Sequence, residues 1–255
     1  MRRSHVPTGL GLDTPRHLVP SPPPPLLIAE PGEVHIWWAS LDLDWCAVTD
    51  LVDLLSAAER SRAAQIYRHD ARRRSIVSRA LLRIVLARYT GCAPADVDLD
   101  RNGAGKPHLA GGDGRLAFNV SHASDKAVIA VTWDTSIGVD LEPGREIDDA
   151  VSVAERTLPR ALAAYVRRGS TVDVSARFAR AWTVFEAQQK LRGVGLTDEQ
   201  ATIHRGACHT ECLAMPDGFI AAVAFDGPPR RLQCYDAAQP PHHAARVVRN
   251  LPLPT

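Results

Sequence analysis

Apolar and polar positions alternate most clearly where Val34, Ile36 and Trp38 interleave with His35 and Trp37, which predicts a strand over Val34–Ala39. Further along the period lengthens. Ser56-Ala57-Ala58-Glu59 has the Ser-x-x-Glu form of a capping box, in which each side chain satisfies a backbone donor near the other, so a helix is expected from Ser56. Between Arg72 and Tyr89, Ile76, Ala80, Leu81, Ile84 and Val85 fall on one helical face, and Gly91 follows as a stop. Short β-rich runs then take over at Leu116–Val120, Ala127–Trp133 and Ile137–Leu141, with the polar Asp134-Thr135-Ser136 expected to join the last two as a hairpin. Helical patterns return at Asp149–Arg156, Pro159–Arg167 and Val172–Arg192, the last closed by Gly193, before strands at Glu211–Met215 and Phe219–Phe225. Strand, helices, strands, helices, strands describe an α+β chain of two lobes joined near residue 138.

The ends break this pattern. Pro7, Pro15, Pro20 and the run Pro22–Pro25 favour extended polyproline conformations and offer little to bury, so residues 1–32 are expected to form a disordered extension. The expected division is an N-terminal lobe over 33–138, a C-terminal lobe over 139–227 and a loose tail over 228–255. Hydrophobic residues make up 45% of the 255 positions, enough for a globular core. Lysine and arginine number 30 against 29 acidic residues, so bulk charge gives no reason to expect nucleic acid or an anionic membrane as partner. Five scattered cysteines fit a reducing compartment, and no apolar run reaches the length of an export-signal core or a bilayer span. A cytoplasmic protein is expected.

Candidate chemistry begins at Ile137-Gly138-Val139-Asp140-Leu141-Glu142. Two carboxylates two apart on a strand share a face, with Cα atoms roughly 6.5–7 Å apart, and can hold a hard cation. An isolated Asp-x-Glu is more often a solvated strand end. Glu186 and Lys190 lie four apart on a helix, beside an apolar stripe of Val174, Phe178, Trp182 and Phe185 that draws Glu186 to the edge of a core. Asn102-Gly103-Ala104-Gly105-Lys106-Pro107 is a glycine-rich turn able to offer N–H groups and an ammonium to phosphate, although it is not a Walker loop. Phe118-Asn119-Val120-Ser121-His122 brings a hydroxyl and an imidazole to a strand end without a Gly-x-Ser-x-Gly elbow. Nine arginines between Arg60 and Arg88 chiefly solvate helix faces, and His204, Cys208, His209 and Cys212 lack the second knuckle of a zinc site.

In this order along the chain, Gly105-Lys106-Pro107, Phe118-Asn119-Val120-Ser121-His122, Gly138-Val139-Asp140-Leu141-Glu142 and the run from Trp182 to Lys190 resemble the 4′-phosphopantetheinyl transferase superfamily. The similarity extends from about Val34 to Phe225, and the length resembles the two-lobed, monomeric Sfp-type branch. The resemblance implies two similar α+β lobes related by pseudo-twofold symmetry, with coenzyme A between them. It implies that Arg62, Arg74, Ser75, Lys106, Pro107, Ser121 and His122 hold the nucleotide with its 3′-phosphate and pyrophosphate. Asp140, Glu142 and Glu186 would surround magnesium, with Asp140, Glu186 and Lys190 carrying catalysis and Lys190 also steadying the transferred phosphate. The implied reaction moves 4′-phosphopantetheine from coenzyme A to a serine of an apo acyl- or peptidyl-carrier protein of a polyketide, nonribosomal peptide or fatty-acid synthase. Pro159–Arg168 resembles the region that meets the carrier. Phe185 departs from the pattern Trp-x-x-Lys-Glu-Ala. It implies altered coenzyme A affinity or carrier choice, the alternative being an impaired homologue that only binds coenzyme A or a carrier.

Overall fold

The computed structural model describes residues 12–24, 27, 30–101, 105–111, 114–193, 208–227 and 231–237. In chain order the elements are β1 (Arg16–His17), β2 (Glu33–Ser40), α1 (Trp45–Val52), α2 (Ala57–Ala64), α3 (His69–Thr90), β3 (Leu99–Arg101), β4 (Pro107–Leu109), β5 (Leu116–Ala123) and β6 (Lys126–Trp133). There follow β7 (Ile137–Pro143), α4 (Ala150–Thr157), α5 (Arg160–Arg167), α6 (Val174–Arg192), β8 (Cys208–Ala214), β9 (Phe219–Asp226) and β10 (Arg231–Asp236). The chain is α+β, as expected.

One connectivity occurs twice. A strand leads through three helices to an antiparallel hairpin, whose second strand pairs with the opening strand: β2 with β6 and β6 with β5, then β7 with β9 and β9 with β8. The resulting sheets have the orders β10-β2-β6-β5 and β1-β8-β9-β7. Alternation along the strands sends Ile36, Trp38, Val128, Val139, Leu141 and Phe225 into a core shared by the two sheets. The opposite faces carry Trp37 and Ile129 against α3, and Ala222 and Ala224 against α6. Helices, sheet, sheet and helices therefore form four layers.

Local signals position the helices. The capping box closes at Ser56, whose Oγ accepts from the Glu59 amide at 3.3 Å while Glu59 Oε2 accepts from the Ser56 amide at 2.9 Å. Gly91 and Gly193 end α3 and α6 in the left-handed conformation, both at φ 72°.

Three expectations change. Asp134-Thr135-Ser136 does not close a hairpin, because β6 and β7 belong to different sheets; it is the crossing between lobes. The hairpin turn is Ser124-Asp125, between the paired Ala123 and Lys126. The segment 1–32 is ordered over 12–24: Leu12 is buried, β1 pairs parallel with β8, and Ser21 bridges Tyr235. Likewise Arg231–Asp236, inside the segment expected to be a loose tail, forms β10 in parallel with β2. Both strands cover sheet edges whose backbone donors and acceptors need partners. Residues 1–11, 25–26, 28–29, 228–230 and 238–255 of those end segments lie outside the described residues. No helix among the described residues is long and apolar enough to cross a membrane.

Candidate functional site

Strands β5 and β7 are edge strands of the two sheets and meet along a seam between the lobes. Asn119 and Ser121, alternate residues of β5, both face this seam. The Asn119 Oδ1 accepts from the backbone amide of Val139 at 2.9 Å, satisfying a donor that β7, as an edge, would otherwise leave open. The Ser121 hydroxyl donates to Asp140 Oδ1 at 2.9 Å.

On its other face β7 presents Gly138, Asp140 and Glu142 to α6. A Cβ on Gly138 would lie 2.2 Å from the Ala187 carbonyl oxygen and 2.4 Å from the Leu191 nitrogen, so only glycine lets the helix backbone rest on the strand. That close approach brings the Lys190 ammonium to 2.7 Å from Asp140 Oδ1 and 3.0 Å from the Ser121 hydroxyl.

More negative charge gathers here than Lys190 neutralises. Burial, and then the Asp140 charge, raise the pKa of both Glu142 and Glu186 above the ordinary glutamate value. The charges of Arg145 and Lys190, and then Trp182, oppose part of that rise at Glu142. Asp140 Oδ2 and Glu186 Oε1 are buried without a hydrogen-bond partner among the described residues. Buried acceptors left bare cost free energy, about 1–3 kcal/mol each, and two of them facing one cluster mark a place for a ligand. No group of three His, Cys, Asp or Glu side chains among the described residues forms a ready metal cage. The two bare oxygens are nevertheless the hard donors that magnesium prefers.

The remaining candidates divide. The Lys106 ammonium donates to the carbonyls of Ile137 at 3.1 Å and Lys190 at 2.9 Å, and burial together with the Lys190 charge lowers its pKa to about 8. An open cavity of about 350 Å³ begins beside it, lined by Lys106, Pro107, Leu109, Leu116, Phe118 and Ser136 among others. His122, next to Ser121, is reached by solvent at its ring, yet crowding and then Lys190 lower its pKa. Arg62, Arg74 and Ser75 are not hydrogen-bonded to this cluster among the described residues. Arg74 instead grips Asp42 through Nε and Nη2 at 2.8 and 2.9 Å, while Arg62 is exposed on α2 and Ser75 half-buried on α3. Phe185 packs on the core beneath α6 with its ring 6.4 Å from that of Trp182. Residues 102–104 and His204 lie outside the described residues.

Sequence reasoning missed two contributors, Asn119 as the tie to β7 and Gly138 as the contact point for α6. The signal for Asn119 was available, since it is two residues from Ser121 on one strand and therefore shares its face.

A partly buried cluster of carboxylates, ammonium and hydroxyl at the seam of a twice-repeated α+β unit, with two acceptors unpaired among the described residues, offers a place for a ligand. Known proteins narrow the class. Residues 37–134 match the family model described as 4′-phosphopantetheinyl transferase, N-terminal. Over 180 residues the chain is 37% identical to 4′-phosphopantetheinyl transferase HetI of Nostoc sp., covering 69% of this chain and 75% of that one. It is 34% identical over 158 residues to the L-aminoadipate-semialdehyde dehydrogenase-phosphopantetheinyl transferase of Eremothecium gossypii, covering 57% of this chain and 54% of the relative. The chain belongs to the 4′-phosphopantetheinyl transferase family.

Proposed function

We propose that this protein transfers the 4′-phosphopantetheine arm of coenzyme A to a serine of an apo carrier protein, releasing 3′,5′-adenosine bisphosphate. The observation that carries the reading is the pair of buried oxygens, Asp140 Oδ2 and Glu186 Oε1, without a hydrogen-bond partner among the described residues, with the Lys190 ammonium on the other Asp140 oxygen. In the reaction the serine oxygen bonds to the phosphorus bearing the pantetheine arm. The anhydride bond to the adenosine bisphosphate breaks, and the serine proton leaves to a base.

Glu186 is suited to be that base, because a carboxylate whose pKa burial raises holds a proton more firmly than an exposed one. Lys190 offsets charge on the transferred phosphate, while its contacts with Asp140 and Ser121 fix the direction from which it does so. Magnesium, held by Asp140, Glu142 and Glu186, would neutralise the pyrophosphate when bound. Pro107, Ser121 and His122 would take the nucleotide side, with Arg62, Arg74 and Ser75 as outer contacts. For Arg74 this requires exchanging Asp42 for phosphate.

The test is mass spectrometry of a panel of apo acyl- and peptidyl-carrier proteins incubated with coenzyme A, with and without magnesium. A magnesium-dependent gain of the arm on at least one carrier is expected. Stabilisation of the protein by coenzyme A with no gain on any carrier would instead identify a binding-only homologue.

A further inference from the structure

Lys106 occupies an unusual position for a residue expected to meet phosphate, since its ammonium donates at 3.1 and 2.9 Å to two backbone carbonyls. One carbonyl, of Ile137, opens β7 three residues before Asp140. The other, of Lys190, lies in the last turn of α6, where helix carbonyls lack intrahelical partners and a positive charge is favoured. Gly193 is the other donor to that carbonyl, at 3.2 Å.

These two points flank the closest approach of strand and helix. Gly138 follows Ile137, Leu191 follows Lys190, and a Cβ on Gly138 would come within 2.4 Å of the Leu191 nitrogen. At Gly138 no side chain stands between strand and helix, so the register there is left to contacts made on either side of it. Lys106, reaching in from the segment that leads into β4, bridges both backbones at this point. The Lys190 carbonyl it holds belongs to the residue whose ammonium must reach Asp140 and Ser121, at 2.7 and 3.0 Å.

We propose that Lys106 is a positioning residue: it locks the C-terminal turn of α6 onto the start of β7 and thereby sets Lys190 against Asp140. The catalytic half of this inference rests on the transferase reading; the structural half does not.

Hydrogen exchange of the ligand-free protein separates them. Lys106→Met should speed exchange of the last-turn α6 amides by about tenfold or more, for loss of two charge-assisted hydrogen bonds. In transfer assays kcat should fall about tenfold while KM for coenzyme A moves less than threefold, the signature of a lost transition-state arrangement. Lys106→Arg, which keeps donors at this position, should recover most of both. Should Lys106→Met not fold, Lys106→Gln, a neutral donor, carries the same measurements. Unchanged exchange without ligand, or a raised KM at constant kcat, would overturn the proposal and make Lys106 a simple ligand contact. Faster exchange in a protein that labels no carrier would leave the lock standing and remove the transferase reading instead.

Discussion

The two lobes repeat one connectivity but fill it differently. Toward its helices β2 turns His35, Trp37 and Ala39, whereas the corresponding strand β7 turns Gly138, Asp140 and Glu142 toward α6. Their buried carboxylates differ in the same sense. In the N-terminal lobe Glu59 Oε2 accepts from the Ser56 amide at 2.9 Å and from Arg83 at 2.8 Å, and Oε1 faces Arg79 at 3.5 Å. Arg83 also donates to the carbonyls of Pro94, Ala95 and Val97. Every part of that buried pair is used in folding. In the C-terminal lobe Asp140 and Glu186 each keep an oxygen bare. The Glu59–Arg83 pair is closed within the fold, whereas the Asp140 and Glu186 oxygens have no hydrogen-bond partner among the described residues.

The contrast is most directly broken at Asp140. Asp140→Asn should lower the transfer rate by about 10²–10³-fold or more while leaving the melting temperature nearly unchanged, measured by initial rates of carrier labelling and by thermal unfolding. A collapse in melting temperature would make Asp140 as structural as Glu59. The converse variant, Arg83→Met, should cost about 3–5 kcal/mol in denaturant unfolding, because it strands Glu59 as a buried unpaired charge. The folded fraction should keep its kcat. Gly138→Ala tests the contact between β7 and α6, where overpacking should cost about 1–3 kcal/mol and, by lifting Lys190, lower the rate as well. Among these three variants it is the one expected to move both readouts together.

The smallest effect is on acid stability. Burial opposes the charge on Glu59, but the Ser56 amide and Arg83 outweigh it and hold the pKa below the usual glutamate value of 4.5. A depressed carboxylate contributes stability above its unfolded pKa, and that stability is lost as pH falls through the folded one. Thermal unfolding from pH 6 to pH 3 should therefore show a shallower acid decline in Glu59→Gln than in the wild type, with the difference confined to pH below about 4.5.

What could be read from the sequence was local. The capping box at Ser56, the glycine stops after α3 and α6, and the shared face of Asp140 and Glu142 follow from spacing alone, and spacing is what side chains within one element obey. The shared face of Glu186 and Lys190 on α6 is of the same kind. The unread features are set by partners far along the chain. Strand β1 is two residues long and has no period to detect; it exists because β8 offers an edge. Asp134-Thr135-Ser136 has the composition of a hairpin turn and crosses between sheets instead, while the true turn places Ser124 at φ 55° without a glycine to announce it. The ion pair of Arg74 with Asp42, 32 residues away, is of the same long-range kind, since nothing in the helix of Arg74 reveals that partner.

The N-terminal segment carries a consequence for biosynthesis. Ser21 donates to Cys234, 213 positions downstream, and Arg16 meets Glu211 across 195. Residues 16–21 therefore wait during synthesis for partners about two hundred positions downstream. Until residues 231–236 have been synthesised, the outer edge of β2 has no strand to cover it. A chain cut short before that point exposes a naked strand edge, so a truncation that removes residues 231–236 should send the protein to chaperones or aggregates rather than merely trim it.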